Sequence, residues 1–241
     1  TKPDAVKLLN QLLSVGQMNE PNRASWIEQT LKKIPAGSSL LDAGAGECQF
    51  KKFCTHLHYT SQDFAQYEGT GDTGLQTGTW DNSKIDIVSD ITSIPRPDQS
   101  YDAIMCTEVF EHIPDPKAAL LEFNRLLKKG GYLLMTAPFS SLTHFAPYHF
   151  ATGFNRYFYE HHLGNLGFEI LDLQMNGNFF EVVAQELRRV KYVGNRYSRK
   201  LSLLDKIFIH LPLLALKKLS KADRGSQELL CFGIHVFARK K

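Results

Sequence analysis

The chain has 241 residues, of which 43% are hydrophobic and 22% charged, and its formal net charge is +3. That balance excludes a disordered, fibrous or collagen-like chain and suffices to bury one large core. No run of about 20 apolar residues occurs, which excludes a membrane span on length; four scattered cysteines (Cys48, Cys54, Cys106, Cys231) exclude a disulfide framework.

A reduced, cytoplasmic setting is therefore expected, and the opening TKPDAVKLLNQLL lacks the charged-then-apolar pattern of a secretion signal. With Asp4 as cap and Val6, Leu9, Leu12 and Leu13 on one face, this segment predicts a helix packed over a ligand mouth. SLLDAG (39–44) reads as a buried strand, followed by a helix from about Gln49 to His56. YTSQD (59–63) is a second strand, residues 65–84 a polar, glycine-rich loop, and IDIVSD (85–90) a third strand. YDAIMCT (101–107) is a fourth. DPKAALLEFNRLLKKGG then predicts a helix with Pro116 near its start and Gly130 at its end, burying Ala119, Leu120, Phe123, Leu126 and Leu127. YLLMTAP (132–138) is a fifth strand, Tyr157–Leu166 a helix, and FEILDL (168–173) a sixth strand. A helical insertion over 179–225 precedes a last strand, LLCFGIHVFA (229–238). Strands alternating with helices predict βαβ units with right-handed crossovers and a largely parallel sheet, in a single domain over 1–241 whose core is 20–175.

LLDAGAGECQF (40–50) is an apolar strand running into a glycine turn. Ligands of open α/β sheets bind at the carboxyl ends of the strands, and Gly44 and Gly46 permit the close backbone approach this requires. A dinucleotide site wants a third glycine where Gln49 stands. Asp42, at the strand end, would oppose a pyrophosphate and suits a cation, such as an ammonium or a sulfonium. A nicotinamide-dependent dehydrogenase is disfavoured on both counts.

The chain resembles the class I, Rossmann-like S-adenosylmethionine-dependent methyltransferases of small-molecule and glycan type, over about residues 20–175 and the last strand. LLDAGAGECQF matches the first motif with Cys48 in place of its third glycine, and SQDF, VSDITSIP, SYDAIMCTEVFEHIPDP and LLKKGGYLLMTAP follow in order. The resemblance implies a three-layer α/β sandwich around a seven-stranded, mostly parallel sheet whose last strand is antiparallel. It implies S-adenosylmethionine as cofactor and S-adenosylhomocysteine as product. Asp42, Gly44, Ala45 and Gly46 would hold the methionine end, Asp63 and Phe64 the ribose, and Asp90 and Ile91 the adenine, with Thr107 and Glu108 beside them. Charge complementarity adds Arg23 as partner for the methionine carboxylate. A domain of this lineage that has lost turnover and serves as a scaffold is the alternative; retention of the ribose and adenine acids speaks against it.

A hydroxyl acceptor needs a base of near-neutral pKa. FSSLTHFAPYHFATGFNRYFYEHHL, after the fifth strand, supplies His149 as the expected base and His144 as the next candidate. Tyr148 and Tyr157 would wall the acceptor and Arg156 would hold an acceptor anion. His112 is expected to be a structural hydrogen-bonder and Cys106 a buried structural thiol. Cys48, Cys54, His56 and His58 have no usual ligand spacing, so no metal is expected. The expected acceptor is a saccharide, nucleotide-sugar or other small polar molecule, phosphorylated and lipid-linked ones included; a quinone-like phenol is also open.

Charge is uneven: Glu186–Arg224 holds eleven Lys/Arg against three acids, while the remainder has 17 basic and 22 acidic residues. Within it Leu201, Leu204, Ile207, Phe208 and Leu211 recur at helical spacing, and Pro212 predicts a kink or restart. Three readings stay open: an apolar stripe docked on the domain, a basic face lining the site, or peripheral contact of 199–220 with an anionic membrane. Nucleic acid is not an expected partner, since the patch is leucine-rich and the rest is net acidic.

Overall fold

A computed structural model describes residues 14–71 and 73–241; the helix predicted around Asp4–Leu13 lies outside the described residues. The chain divides into two compact units, Arg23–Gln174 with Gly233–Lys241, and Thr1–Asn22 with Met175–Phe232.

The first unit carries the sheet. In chain order its elements are α1 (Asn19–Leu31), β1 (Ser39–Ala43), β2 (His58–Asp63), β3 (Ile87–Val88), β4 (Tyr101–Thr107), α2 (Pro116–Leu126), β5 (Leu127–Pro138), α3 (Arg156–Asn165), β6 (Phe168–Asn176) and β7 (Gly233–Lys240). The strand order is β3-β2-β1-β4-β5-β7-β6. β1 to β5 run parallel, β7 is antiparallel to β5, and Lys241 N–H donates to Gly167 O at the β6 end. The seven-stranded Rossmann-like sheet with antiparallel last strands is thus present. Leu40, Leu41 and Ala43 are fully buried, which puts β1 at the sheet centre between β2 and β4. Chain order reverses between those neighbours, and at such a switch point open α/β sheets take their ligands. One core under this half of the sheet joins Trp26, Ile27 and Leu31 of α1 to Leu40, Phe50, Met105, Leu134 and Phe237.

Several local features differ from the sequence-based expectations. The helix expected over 49–56 is a short 3-10 turn, Lys51–Phe53. Cys48 has a left-handed φ of 57°, and successive i to i+3 bonds lead from Ala45 to Leu57 so that Phe50 and Cys54 reach the core. The third strand shrinks to two residues because Asp86 instead accepts from the Ser61 N–H and hydroxyl. α2 starts as expected, with Pro116 in its first turn and the Asp115 side chain accepting from Ala118 N–H. It stops at Leu126, not Gly130, because Leu127 already pairs with Tyr101 in the sheet. The last strand begins at Gly233, after a 3-10 turn over Ser226–Glu228.

The second unit is built on two long helices, α4 (Phe179–Tyr197) and α5 (Leu203–Lys221). Asn178 caps α4, and a capping box of Ser202 and Asp205 opens α5. Of the kink or restart expected at Pro212, the restart does not occur: α5 is one helix through that residue. Leu213, with Leu216, packs on Val15, Ala184 and Leu187. Of the three readings left open for this stripe, the docked one is not met: Leu204, Ile207, Phe208 and Leu211 face solvent, Phe208 at 71% exposure, as does Leu203 at 73%. No helix among the described residues is long and apolar enough to cross a membrane.

Candidate active site

The glycine turn leaves the carboxyl end of β1 with Gly44 and Ala45 N–H groups both donated to Gln62 O on β2. Gly44 (φ +76°) and Gly46 (φ +51°) both need the left-handed region. They are also closely covered, since a Cβ would fall 2.5 Å from Val109 at Gly44 and 2.5 Å from Trp80 at Gly46. The turn is therefore a cradle that side chains would fill.

Asp63, at the end of β2, accepts from Gly46 N–H (3.0 Å) and Ala65 N–H (2.8 Å) and ties the cradle to the next strand. Phe64 packs its ring edge-on to Tyr148, centroids 4.8 Å apart. Asp90 is exposed and accepts from the Thr92 N–H and hydroxyl, while Ile91 beside it is half-buried. Asp42 is 2% exposed. Tyr59 O–H donates to one of its oxygens (2.6 Å), and the other has no partner. Burial, partly opposed by the Tyr59 bond, pushes this carboxyl up to about 7.

Arg23 pairs with Glu108 (2.8 Å), whose other oxygen accepts from Thr136 O–H (2.9 Å); Thr107 precedes it at the half-buried end of β4. Arg23 Nε is buried without a partner, so a donor remains for an incoming carboxylate. Glu108 itself turns the chain out of β4 at a φ of +54°.

That turn delivers Glu111 and His112 beside the segment that leaves β5. Phe150 and Ala151 N–H groups donate to Glu111 O at 2.8 and 3.2 Å, which straps the two segments together. His112 Nδ1 bonds Tyr148 O, and His144 Nδ1 bonds Leu142 O at 2.8 Å. A carbonyl only accepts, so both rings carry a proton on Nδ1, and each presents a bare Nε2 when the ring is neutral. Each Nε2 lies 3.7 Å from Glu111 Oε1. His149, its ring centroid 4.9 Å from that of His144, has both nitrogens buried without a partner.

Burial and the neighbouring His144 and His149 push His112 down to about 4. Burial and His144 also lower His149. His144 moves the other way, because the Glu111 carboxylate outweighs its burial, and Glu111 is itself raised by burial.

The two expected base candidates thus come together, and His112, expected to be structural, joins them. Glu111 was not anticipated; its adjacency to His112 just past a strand end was the available signal. Tyr59 under Asp42 and Trp80 over Gly46 were also missed. Of the expected acceptor residues, Tyr148 lies beside the cluster with its O–H toward Gln66 (3.5 Å). Tyr157 is 58% exposed, and Arg156 stacks on it and pairs with Glu160 at the start of α3.

The glycine-rich loop 65–84 lies over both regions. Leu75 bridges to His144, with Leu75 N–H donating to Thr143 O (2.9 Å) and Phe145 N–H to Leu75 O (3.0 Å). Tyr67 stacks on Phe145 (4.2 Å), and Trp80 meets both rings edge-on.

A glycine cradle at the switch point, an acid after β2, and a histidine cluster after β4 and β5 share the carboxyl edge of a Rossmann-like sheet. Residues 17–189 match the family model of a methyltransferase domain, and the chain belongs to that family. The members of this class draw their methyl group from S-adenosylmethionine, and the cradle with Asp63 fits it. A demethylmenaquinone methyltransferase of Clavibacter sepedonicus is 29% identical over 130 residues, 52% of this chain and 50% of that protein. A ubiquinone biosynthesis O-methyltransferase of Leptothrix cholodnii is 27% identical over 125 residues, 48% of this chain and 50% of that protein. The chain spans about half the length of the curated relatives it matches. Among solved structures, a candidate sarcosine dimethylglycine methyltransferase of Galdieria sulphuraria shares the fold, with a TM-score of 0.54 at 18% identity over 91% of this chain and 86% of that one.

Proposed function

We propose that the chain methylates an oxygen of a small acceptor, and that this oxygen is a ring hydroxyl of phenolic or quinol type. The observation that carries the reading is the His112–His144–His149–Glu111 cluster, linked to the glycine turn through Val109 and through the segment from Leu75 to Trp80. S-adenosylmethionine, when bound, supplies an electrophilic methyl group on a sulfonium. The chain's own part is alignment and removal of one proton. Asp63 fixes the cradle through two backbone bonds, and Val109 on Gly44 sets the spacing to Glu111. His149 is the base best prepared to take the acceptor proton, being unbonded at both nitrogens and lowered toward the neutral form. A phenol, with a pKa of about 10, asks much less of such a base than an alcohol does. The names of the curated relatives favour quinone-type rings over the saccharide expected first.

The test is transfer of label from methyl-labelled S-adenosylmethionine to a panel of catechols and phenols and to a matched panel of sugars and sugar nucleotides. Label is expected on the ring hydroxyls only. Label on the sugars alone would overturn the acceptor; binding of S-adenosylhomocysteine without label on either panel would overturn methyl transfer in favour of a scaffold.

The exposed face of α5 supports a second part of this reading, that the protein docks on anionic membranes, where hydrophobic ring acceptors reside. Leu203, Leu204, Ile207, Phe208, Leu211 and Leu214 are all exposed along it, flanked by Lys200, Lys206, Lys217, Lys218 and Lys221. Basic residues near such a surface contribute about 1 kcal/mol each. Sedimentation with phosphatidylglycerol-containing vesicles is expected, with loss in Phe208→Asp and at high salt. Equal partition to neutral vesicles, or an unchanged Phe208→Asp protein, would remove the membrane from the account.

A further inference from the structure

We propose that His112, His144 and His149, together with Glu111, form a binding site for one divalent transition-metal ion. No metal was expected from the spacing of Cys48, Cys54, His56 and His58, and these three histidines lie on two separate segments that the β4–β5 adjacency brings together. Their ligand nitrogens all lie within 4.8 Å of one another. An ion held at about 2.0–2.1 Å from each would draw such nitrogens to about 3.0–3.5 Å apart. The closure required is at most about 1.3–1.8 Å, and His149 is free to make it because neither of its nitrogens gives up a hydrogen bond.

Two further observations separate this cluster from a chance gathering of imidazoles. His112 and His144 each donate Nδ1–H to a backbone carbonyl, of Tyr148 and of Leu142. Metal-bound histidines are held in this way, with tautomer and ring direction fixed before the ion arrives. Both Nε2 atoms lie 3.7 Å from the same carboxylate oxygen, that of Glu111. That carboxylate belongs to a residue only 1% exposed, and its other oxygen has no partner. An unpaired buried carboxyl is costly, and a cation among the three rings would compensate it and accept it as fourth ligand.

The donor set selects the ion. Three imidazoles and one carboxylate suit zinc, cobalt, iron or manganese, whereas magnesium and calcium prefer oxygen donors throughout. If the methyl-transfer reading holds, on which this role alone rests, an acceptor hydroxyl bound at an open position of the ion would ionise more readily, and His149 would serve as ligand in place of base.

The experiment uses the full chain without an affinity tag, stripped with chelator and titrated with Co²⁺ by visible absorption and with Zn²⁺ by calorimetry. One equivalent of each is expected to bind with a dissociation constant of about 1 µM or tighter, with d–d bands showing nitrogen ligation and no competition from millimolar Mg²⁺. His149→Ala and Glu111→Gln should each weaken binding by at least about tenfold; His149→Ala breaks no hydrogen bond and so keeps the fold. Absence of saturable binding, or unchanged Co²⁺ bands in both variants, would overturn the site. S-adenosylhomocysteine titrated into the same samples separates the two readings: cofactor binding without metal sinks only the metal site, and metal binding without cofactor sinks only the proposed function.

Discussion

The Asp63→Ala protein is expected to bind S-adenosylhomocysteine about a hundredfold or more weaker than the parent. A hydrogen bond to a carboxylate contributes about 1.5–3 kcal/mol, and about 1.4 kcal/mol is tenfold in affinity. The resemblance assigns Asp63 to the ribose, and loss of two such bonds to its hydroxyls would reach that figure. The side chain has a second task in this structure, because the same two oxygens hold Gly46 and Ala65 N–H. Asp63→Asn keeps one acceptor oxygen and should fall between parent and alanine variant. Calorimetric titration of the three proteins checks the order, and parental affinity in Asp63→Ala would remove Asp63 from the cofactor site.

The second large effect is on stability and concerns Asp42. Its carboxyl is raised from 3.8 to about 7, chiefly by burial. Between those two values the folded protein holds a proton that the unfolded chain has released, so stability falls as pH rises through the window. At 1.36 kcal/mol per pKa unit, the full penalty is about 4 kcal/mol above pH 7, of which about 2 kcal/mol develops between pH 5.5 and 8. Asp42→Asn cannot ionise and should lack that decline. Its amide still accepts from Tyr59 but adds a buried donor, which costs about 1–3 kcal/mol. Urea unfolding of parent and variant at pH 5.5 and 8 should therefore show curves that diverge in favour of the variant as pH rises. Parallel curves would show that Asp42 is not shifted in the folded state.

What was legible beforehand divides along physical lines. β4 emerges with its expected bounds because its apolar stretch AIMC (103–106) is fully buried, and α2 begins where Asp115 and Pro116 give it a cap and a fixed first φ. Such signals are local. The helix missed over 49–56 was lost to a single left-handed residue, Cys48, and to the pull of Phe50 into the core. Neither leaves a trace in periodicity. The exposed stripe of α5 was visible as a stripe, but which side of it packs depends on the partner surface around Ala184 and Leu187. The glycine turn and Asp63 were readable because a strand, a turn and the next strand end lie within one stretch of chain. Glu111 and the three histidines were not readable as a group, since residues 112 and 149 meet only through the order of the sheet.

The bridge between Leu75 and His144 joins the two halves of the site through one strap of chain, whose Trp80 lies on Gly46. Whatever occupies the cradle must contend with Trp80, and whatever occupies the histidines is held by a segment hydrogen-bonded to Leu75. A ligand that prefers one setting of the strap therefore changes affinity at the far end, and thermodynamics requires the change to be returned by the same factor. Through that strap, occupancy of the cradle and occupancy of the histidines would bias one another before methyl group and acceptor meet.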